Sequence, residues 1–414
     1  MPLINQLIQF IDSSPTAWHT AANVKKKLDQ EGFVLLDEAE QWKIKSGSGY
    51  YVIRSGSIIA FRMPKSRIQQ AICLAAHTDS PGLKLKPSGQ HVVNDQQLLH
   101  FEVYGSPILP TWIGRELYLA GRIFYEDSKG KIQSELVSYP QFPIFIPNLA
   151  LHLDRQVNEE GLVVDKQQHL SAMASSDLGY LEKLFGKKKV IHKELFAAQL
   201  EQPVRCGLSG EWLTASRLDN LASVVSCLEA FITAKSKQPH LLSMIAFWNH
   251  EEIGSHTQEG AASPFFTDVF ERIMHLQGMN KEEALICKAS SYTVSCDVAH
   301  AMHPNHPKKH DERHPVQLGK GICIKTNALE RYVSPAELAA HLMRVFDKEK
   351  VGHQFYAPRN DIPSGSTIGP IHAAKTGFKS IDIGIPLIGM HAAREMIATA
   401  DYKASVRALK ALIM

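Results

Sequence analysis

Paired cysteines are missing from this chain: its six, Cys73, Cys206, Cys227, Cys287, Cys296 and Cys323, are scattered and form no CxxC. That argues against a thiolate zinc cage or a disulfide framework, and several of the six lie in apolar, strand-like runs, as free thiols do in a reducing cytoplasm. Long hydrophobic runs are missing too, and no stretch approaches the ~20 apolar residues that span a bilayer. The opening MPLINQLIQFIDSSP reads as a short amphipathic helix. It lacks a basic region, an apolar core and a small-residue cleavage site in that order, so the expectation is a protein that is soluble and not exported. An excess of one charge is also absent, with 45 basic against 42 acidic residues and a formal charge of +3. So small a bias gives no reason to expect nucleic acid or a membrane as a partner. No internal repeat or low-complexity segment stands out.

What is present is an ordinary globular composition, 44% apolar and 21% charged, in 414 residues, enough for two or three domains. The chain is organised around LLSMIAFWNHEEIGS, residues 241–255, where an apolar run stops at Asn249, His250, Glu251 and Glu252. Adjacent carboxylates repel unless one binds a cation and the other is tuned to carry a proton.

In chain order, Ser14 and Pro15 are read as the cap and first turn of a helix through Leu28, with Trp18, Ala22 and Leu28 inward. Residues 50–64 read as a hairpin around Ser-Gly-Ser, and 71–77 as a doubly covered strand ending at His77, Thr78 and Asp79. From about 88 to 202 short strand-like pieces lack long helices between them, which suggests an all-β module inserted into an α/β domain. Within it GKKKVIHK, 186–193, reads as a solvated loop. Helical spacing resumes at Leu218, Leu221, Val225, Leu228 and Ile232, with Asp219 in the first turn. Further strands end at Asp297 and run over 321–327 and 380–388, with helices over 264–286 and after 336, and GMHAAREM follows. The expected fold is a mixed, mostly parallel sheet flanked by helices with an inserted mainly-β dimerisation domain. The expected segments are 1–85 and 203–414 for the catalytic domain and 86–202 for the insert.

In such sheets ligands bind beyond the carboxyl ends of the strands. His77 with Asp79, Glu251 with Glu252, Asp297, His391 and Asp219 would converge at that edge, and unpaired carboxylates brought together would be strongly destabilising. Two histidines and three carboxylates suit borderline divalent ions, and one bridging carboxylate gives each of two ions three protein ligands.

HTDSPGLKLKP, SRLDN, NHEEIGS, SCDVAHAMHPN, GSTIGP and MHAAREM occur in the order and approximate spacing of the aspartyl aminopeptidases, dinuclear metallopeptidases, and the chain resembles that family from about residue 8 onward. The resemblance implies His77 and Asp297 as ligands of one metal, Glu252 and His391 of the other, Asp219 as the bridge and Glu251 as general base. It implies Asp79 as the acid orienting the His77 ring, and His152, on the insert, as a residue reaching a neighbouring subunit's active site. His300, Lys325 and Tyr332 match substrate-contacting positions, Lys325 facing an acidic side chain. GSTIGP, 365–370, is either a plain helix cap or a substrate cradle.

The expectation is therefore a cytoplasmic aminopeptidase that removes N-terminal Asp or Glu from peptides with a water activated by two metal ions. Zinc is the first choice of ion, cobalt or manganese the alternatives. The resemblance also implies a homo-oligomer, a dodecamer built from dimers. Two rivals stand beside this reading: the same fold with neutral specificity or deacylase activity, and a metal-stabilised scaffold without catalysis. The intact Glu251 argues against the scaffold.

Overall fold

The computed structural model describes residues 2–235 and 237–414. Its centre is a nine-stranded sheet in the order 34–35, 49–54, 57–62, 241–248, 70–77, 292–296, 379–384, 322–325, 353–356. Four adjacent central strands, Leu241–Trp248, Gln70–His77, Tyr292–Cys296 and Lys379–Gly384, run parallel. Every residue of Leu241–Trp248 is buried. The reason is alternation, which sends successive side chains to opposite faces of the sheet. Ile245, Phe247, Leu74 and Ala76 pack on one side with helices Leu3–Asp12, Leu218–Thr233 and Thr399–Leu412. Met244, Ala246, Trp248, Cys73 and Ala75 pack on the other with helix Phe265–Leu276. Each large side chain so enclosed contributes about 1.5–3 kcal/mol. The mixed, helix-flanked sheet is thus as the sequence suggests.

The β-rich domain is a second, seven-stranded sheet, whose first and last strands are Gly82–Val93 and Lys189–Gln199. Lys189–Gln199 pairs with both Gly82–Val93 and Glu116–Glu126, which closes the sheet on itself. Residues 189–193 of the expected solvated loop belong to this long strand. Lys188 and Lys189 are paired with Glu135 and Glu126, so the lysines decorate a paired strand. A third sheet, of five strands, was not anticipated; it joins 204–206, 212–215, 395–398, 386–388 and 299–300. It divides the expected strand 380–388, because Lys379–Gly384 stays in the central sheet while Pro386–Ile388 crosses to the small one.

Smaller differences are local. The second helix is Ala17–Gln30 with Thr16 at its cap, so Ser14 and Pro15 precede it, and Ala21 and Val24, with Ala22 only partly covered, join Trp18 and Leu28 inside. The hairpin Gly49–Arg54 and Ser57–Arg62 turns on Ser55 and Gly56. A side chain at Gly56 would run into the Asn249 amide, so the turn fits closely beneath the central strand end. Among the described residues no helix is long and apolar enough to cross a membrane.

Candidate metal centre and active site

His77 is the last residue of its strand, and Asp297 directly follows Cys296. Glu251 and Glu252 open a short turn that starts three residues beyond Trp248, entered through His250 in the left-handed conformation. Asp219 sits at a distorted helix start, its own ψ of 104° being non-helical, which turns its carboxylate out of the first turn. His391 arrives from the small sheet, beyond Pro386–Ile388, rather than from a central strand.

These residues surround a cavity of about 350 Å³ that His300, Lys325, Tyr332, Tyr356 and residues 365–367 also line. Asp219 lies in the middle. Its Oδ1 is 3.3 Å from His77 Nε2 and its Oδ2 is 3.5 Å from His391 Nε2. His77 Nε2 is also 3.6 Å from Asp297 Oδ1, and His391 Nε2 is 3.5 Å from Glu252 Oε2. Two groups of His plus carboxylate thus share one central carboxylate. His77, Asp219 and Glu252 also bring ligand atoms within 4.8 Å of one another.

Both imidazoles are fixed from behind. His77 Nδ1 donates to the Asp79 carbonyl at 3.1 Å, with Asp79 Oδ1 farther away at 3.4 Å, and His391 Nδ1 donates to the Ser106 carbonyl at 3.0 Å. In the neutral rings this leaves each Nε2 lone pair facing carboxylate oxygens. Asp219 Oδ1 is buried with no hydrogen-bond partner. Two imidazole nitrogens and three carboxylates converging at 3.3–3.6 Å, with Asp219 Oδ1 buried and without a hydrogen-bond partner, fit a cation that would replace protons on the rings, and nitrogen and oxygen donors suit zinc.

The electrostatics follow from the same crowding. Burial, opposed by His77 and reinforced by Asp297, Asp79 and Asp219, pushes the Glu251 carboxyl up to about 8. Burial and Asp219 raise Glu252 well above the usual carboxylate range. Burial lowers the basicity of His77, but its contacts with Asp219, Asp297 and Asp79 outweigh that and raise it. Glu251 makes no ion pair with either histidine among the described residues, and its backbone N–H, like that of Glu252, donates to Asp79 at 3.2 and 3.1 Å. Asp79 also accepts from Tyr104 Oη at 2.8 Å.

Lys325 is only 3% exposed and lies inside the sheet between 379–384 and 353–356, so it is no edge-strand lysine. Its Nζ donates to Asp297 Oδ2 at 3.1 Å and sits 5.3 Å from the Tyr332 ring centre. His300 packs against Tyr356 at 5.8 Å between ring centres. Thr367 stands at the start of helix Ile368–Thr376 without a side-chain capping hydrogen bond, and it lines the cavity. His152 is exposed and does not reach this cavity in its own chain. Sequence reasoning missed Glu395, a buried carboxylate whose Oε2 accepts from the Asp219 N–H at 3.0 Å and whose Oε1 accepts from the His391 N–H at 2.9 Å. Its place in MHAAREM, four residues after His391, was the available signal.

Residues 10–413 match the family described as Aminopeptidase I zinc metalloprotease (M18). A probable M18 family aminopeptidase 2 of Borreliella burgdorferi is 35% identical over 410 residues, 97% of this chain and 95% of that protein. A probable aspartyl aminopeptidase of Ricinus communis is 32% identical over 463 residues, 98% of this chain and 94% of that protein. Among solved structures, the M18 aminopeptidase of Thermotoga maritima aligns with a TM-score of 0.86 at 23% identity, over 99% of this chain and 95% of that one. The mApe1 dodecamer of S. cerevisiae gives 0.85 at 23% identity, over 99% and 96%. At that identity the two structures speak for the fold. Because the family match runs nearly from end to end, the chain belongs to the M18 zinc metallopeptidases, the family of the aspartyl aminopeptidases, and is a metal-dependent aminopeptidase.

Proposed function

We propose that the enzyme removes N-terminal Asp or Glu from peptides at a centre for two divalent cations, zinc before cobalt or manganese. The observation that carries this is Asp219, whose two oxygens each face a different histidine and carboxylate. His77 and Asp297 would hold one ion, His391 and Glu252 the other, with Asp219 shared. Bound there, the ions would polarise the scissile carbonyl and acidify water.

Glu251 accepts the proton of the attacking water as the new C–O bond forms, then gives it to the departing amine as the C–N bond breaks. Its proton affinity, raised by burial and neighbouring carboxylates, favours that uptake, and cations in the centre would bring it down toward working pH. Asp79 steadies this machinery by holding the Glu251 and Glu252 N–H groups and the His77 ring. Lys325, with Tyr332 and His300 beside it on the cavity wall, would meet the acidic side chain of the substrate. Asp297 faces the ion site with Oδ1 and Lys325 with Oδ2, so an ion would draw off part of the charge that neutralises the buried ammonium, and a substrate carboxylate would add to what remains. The likeness to an aspartyl aminopeptidase of Ricinus communis supports this specificity.

The inserted domain, residues 86–202, is read as the assembly element of a homo-oligomer, a dodecamer built from dimers. Leu149, Leu151 and Leu153, flanking His152, are 61%, 52% and 74% exposed, apolar surface that a partner subunit would cover. His152 would then enter the partner's site. The fold neighbour from S. cerevisiae is a dodecamer. Free, mostly buried thiols support a reducing cytoplasm.

The test is a panel of peptides with N-terminal Asp, Glu, Asn, Gln, Ala and Leu offered to the metal-reconstituted enzyme. Preferential release of Asp and Glu is expected. Faster release of neutral residues overturns the specificity.

A further inference from the structure

We infer that Glu395 is a positioning residue of the metal centre, holding the main chain of Asp219 and of His391 so that both side chains meet at the ion His391 would bind. This rests on the reading of those two as ligands. Glu395 is 3% exposed, and among the described residues no lysine or arginine forms an ion pair with it. Both of its oxygens are committed to N–H groups of proposed ligand residues, which compensates its burial.

Topology explains why one side chain can hold both. Glu395 pairs with Ala215 across the small sheet, four residues before Asp219. The chain between Ile388 and Glu395 folds back through Gly389 and His391, both at positive φ, so that His391 lies beside the strand that follows it. Glu395 therefore ties the helix start carrying the shared carboxylate to the turn carrying a histidine. Asp79 does the same on the opposite side for Glu251 and Glu252. Four proposed site residues thus hang from two buried carboxylates by their backbone N–H groups.

Glu395→Gln keeps the size of the side chain but turns an NH₂ toward one of the two N–H donors. In the full-length oligomer, zinc affinity measured by chelator competition should fall about 10- to 100-fold, as for other residues that orient metal ligands. kcat should fall with KM little changed, excess zinc should restore part of it, and Glu395→Asp should lie between. Asp401→Asn is the control for loss of a buried carboxylate as such. Asp401 holds the Gly319 and Gly321 N–H groups, each at 2.7 Å, away from the cavity. It should lower thermal stability and leave zinc affinity alone.

Wild-type zinc affinity in Glu395→Gln, with only the stability loss seen in Asp401→Asn, overturns the proposal. If Glu395→Gln does not fold, Glu395→Asp decides by the same reading. A wild-type stoichiometry of one zinc would overturn the two-ion reading instead, and Glu395 would then be judged on that one ion's affinity.

Discussion

Lys325 donates from Nζ to Asp297 Oδ2 at 3.1 Å, so the proposed reader of substrate charge is neutralised by a proposed metal ligand. A substrate carboxylate would share Lys325 with Asp297 Oδ2 while Asp297 Oδ1 faces the ion site. A charge-assisted contact of about 1.5–3 kcal/mol corresponds to roughly ten- to a hundredfold in selectivity. Lys325→Met should lower kcat/KM for N-terminal Asp and Glu peptides by about that factor and leave Asn, Gln and Ala peptides nearly unchanged. Equal losses on both classes would assign Lys325 to the fold or to the peptide backbone.

Glu251 sits beside Glu252 but pairs with neither histidine, as a base spared from ligation would. Glu251→Gln should reduce kcat by about 10²- to 10⁴-fold, the usual contribution of a general base. Metal content, read by elemental analysis, should stay at the wild-type value. Metal lost together with activity would make Glu251 a ligand.

Asp219→Asn removes the charge that both histidines face. Both ions should be lost and the melting temperature should fall, because the remaining carboxylates repel without compensation. Retention of one tightly bound equivalent with native turnover would exclude the bridge.

The metal-free protein should become less stable as pH rises. Burial, with Asp297, Asp79 and Asp219 adding to it against His77, raises the Glu251 carboxyl from 4.5 to about 8, and burial raises Glu395 to about 8 as well. His391, although burial opposes it, is raised from 6.5 to about 9 by Asp219. Groups with raised folded pKa values bind more protons folded than unfolded, so their contribution is full at low pH and lost as pH climbs through those values. Asp219 shifts the other way, and its contribution is lost only in acid, below the ordinary value of 3.8. Thermal melts of chelator-stripped enzyme should therefore drop between about pH 5 and 9, and reconstitution with zinc should flatten that slope. A stripped protein whose melting temperature rises over the range would contradict these protonation states.

His152→Ala should leave the assembled size unchanged, by sedimentation, and depress turnover. Mixing it into oligomers with Glu251→Gln subunits should restore part of the activity, since an intact base can then meet an intact histidine from a neighbour. Verified mixed oligomers with no recovery would count against a shared site.

The unbroken apolar runs before His77 and Glu251 were enough to read doubly covered strands, because burial on both faces leaves no polar alternation. Chemistry-bearing residues stopping those runs marked the active edge for the same local reason. Contacts made across sheets were not legible. Residues 189–193 look like a solvated loop until pairing with Glu116–Glu126 makes them a strand, whose Lys189 stays exposed. Lys325 looks like a free specificity cation until Asp297 is brought beside it. Glu395 looks like one more surface acid until the pairing of 212–215 with 395–398 places it under an N–H group 176 residues away. Periodicity along the chain determined which residues are buried and where strands end. Only sheet closure and strand order, set by long-range pairing, decided which buried charge meets which partner.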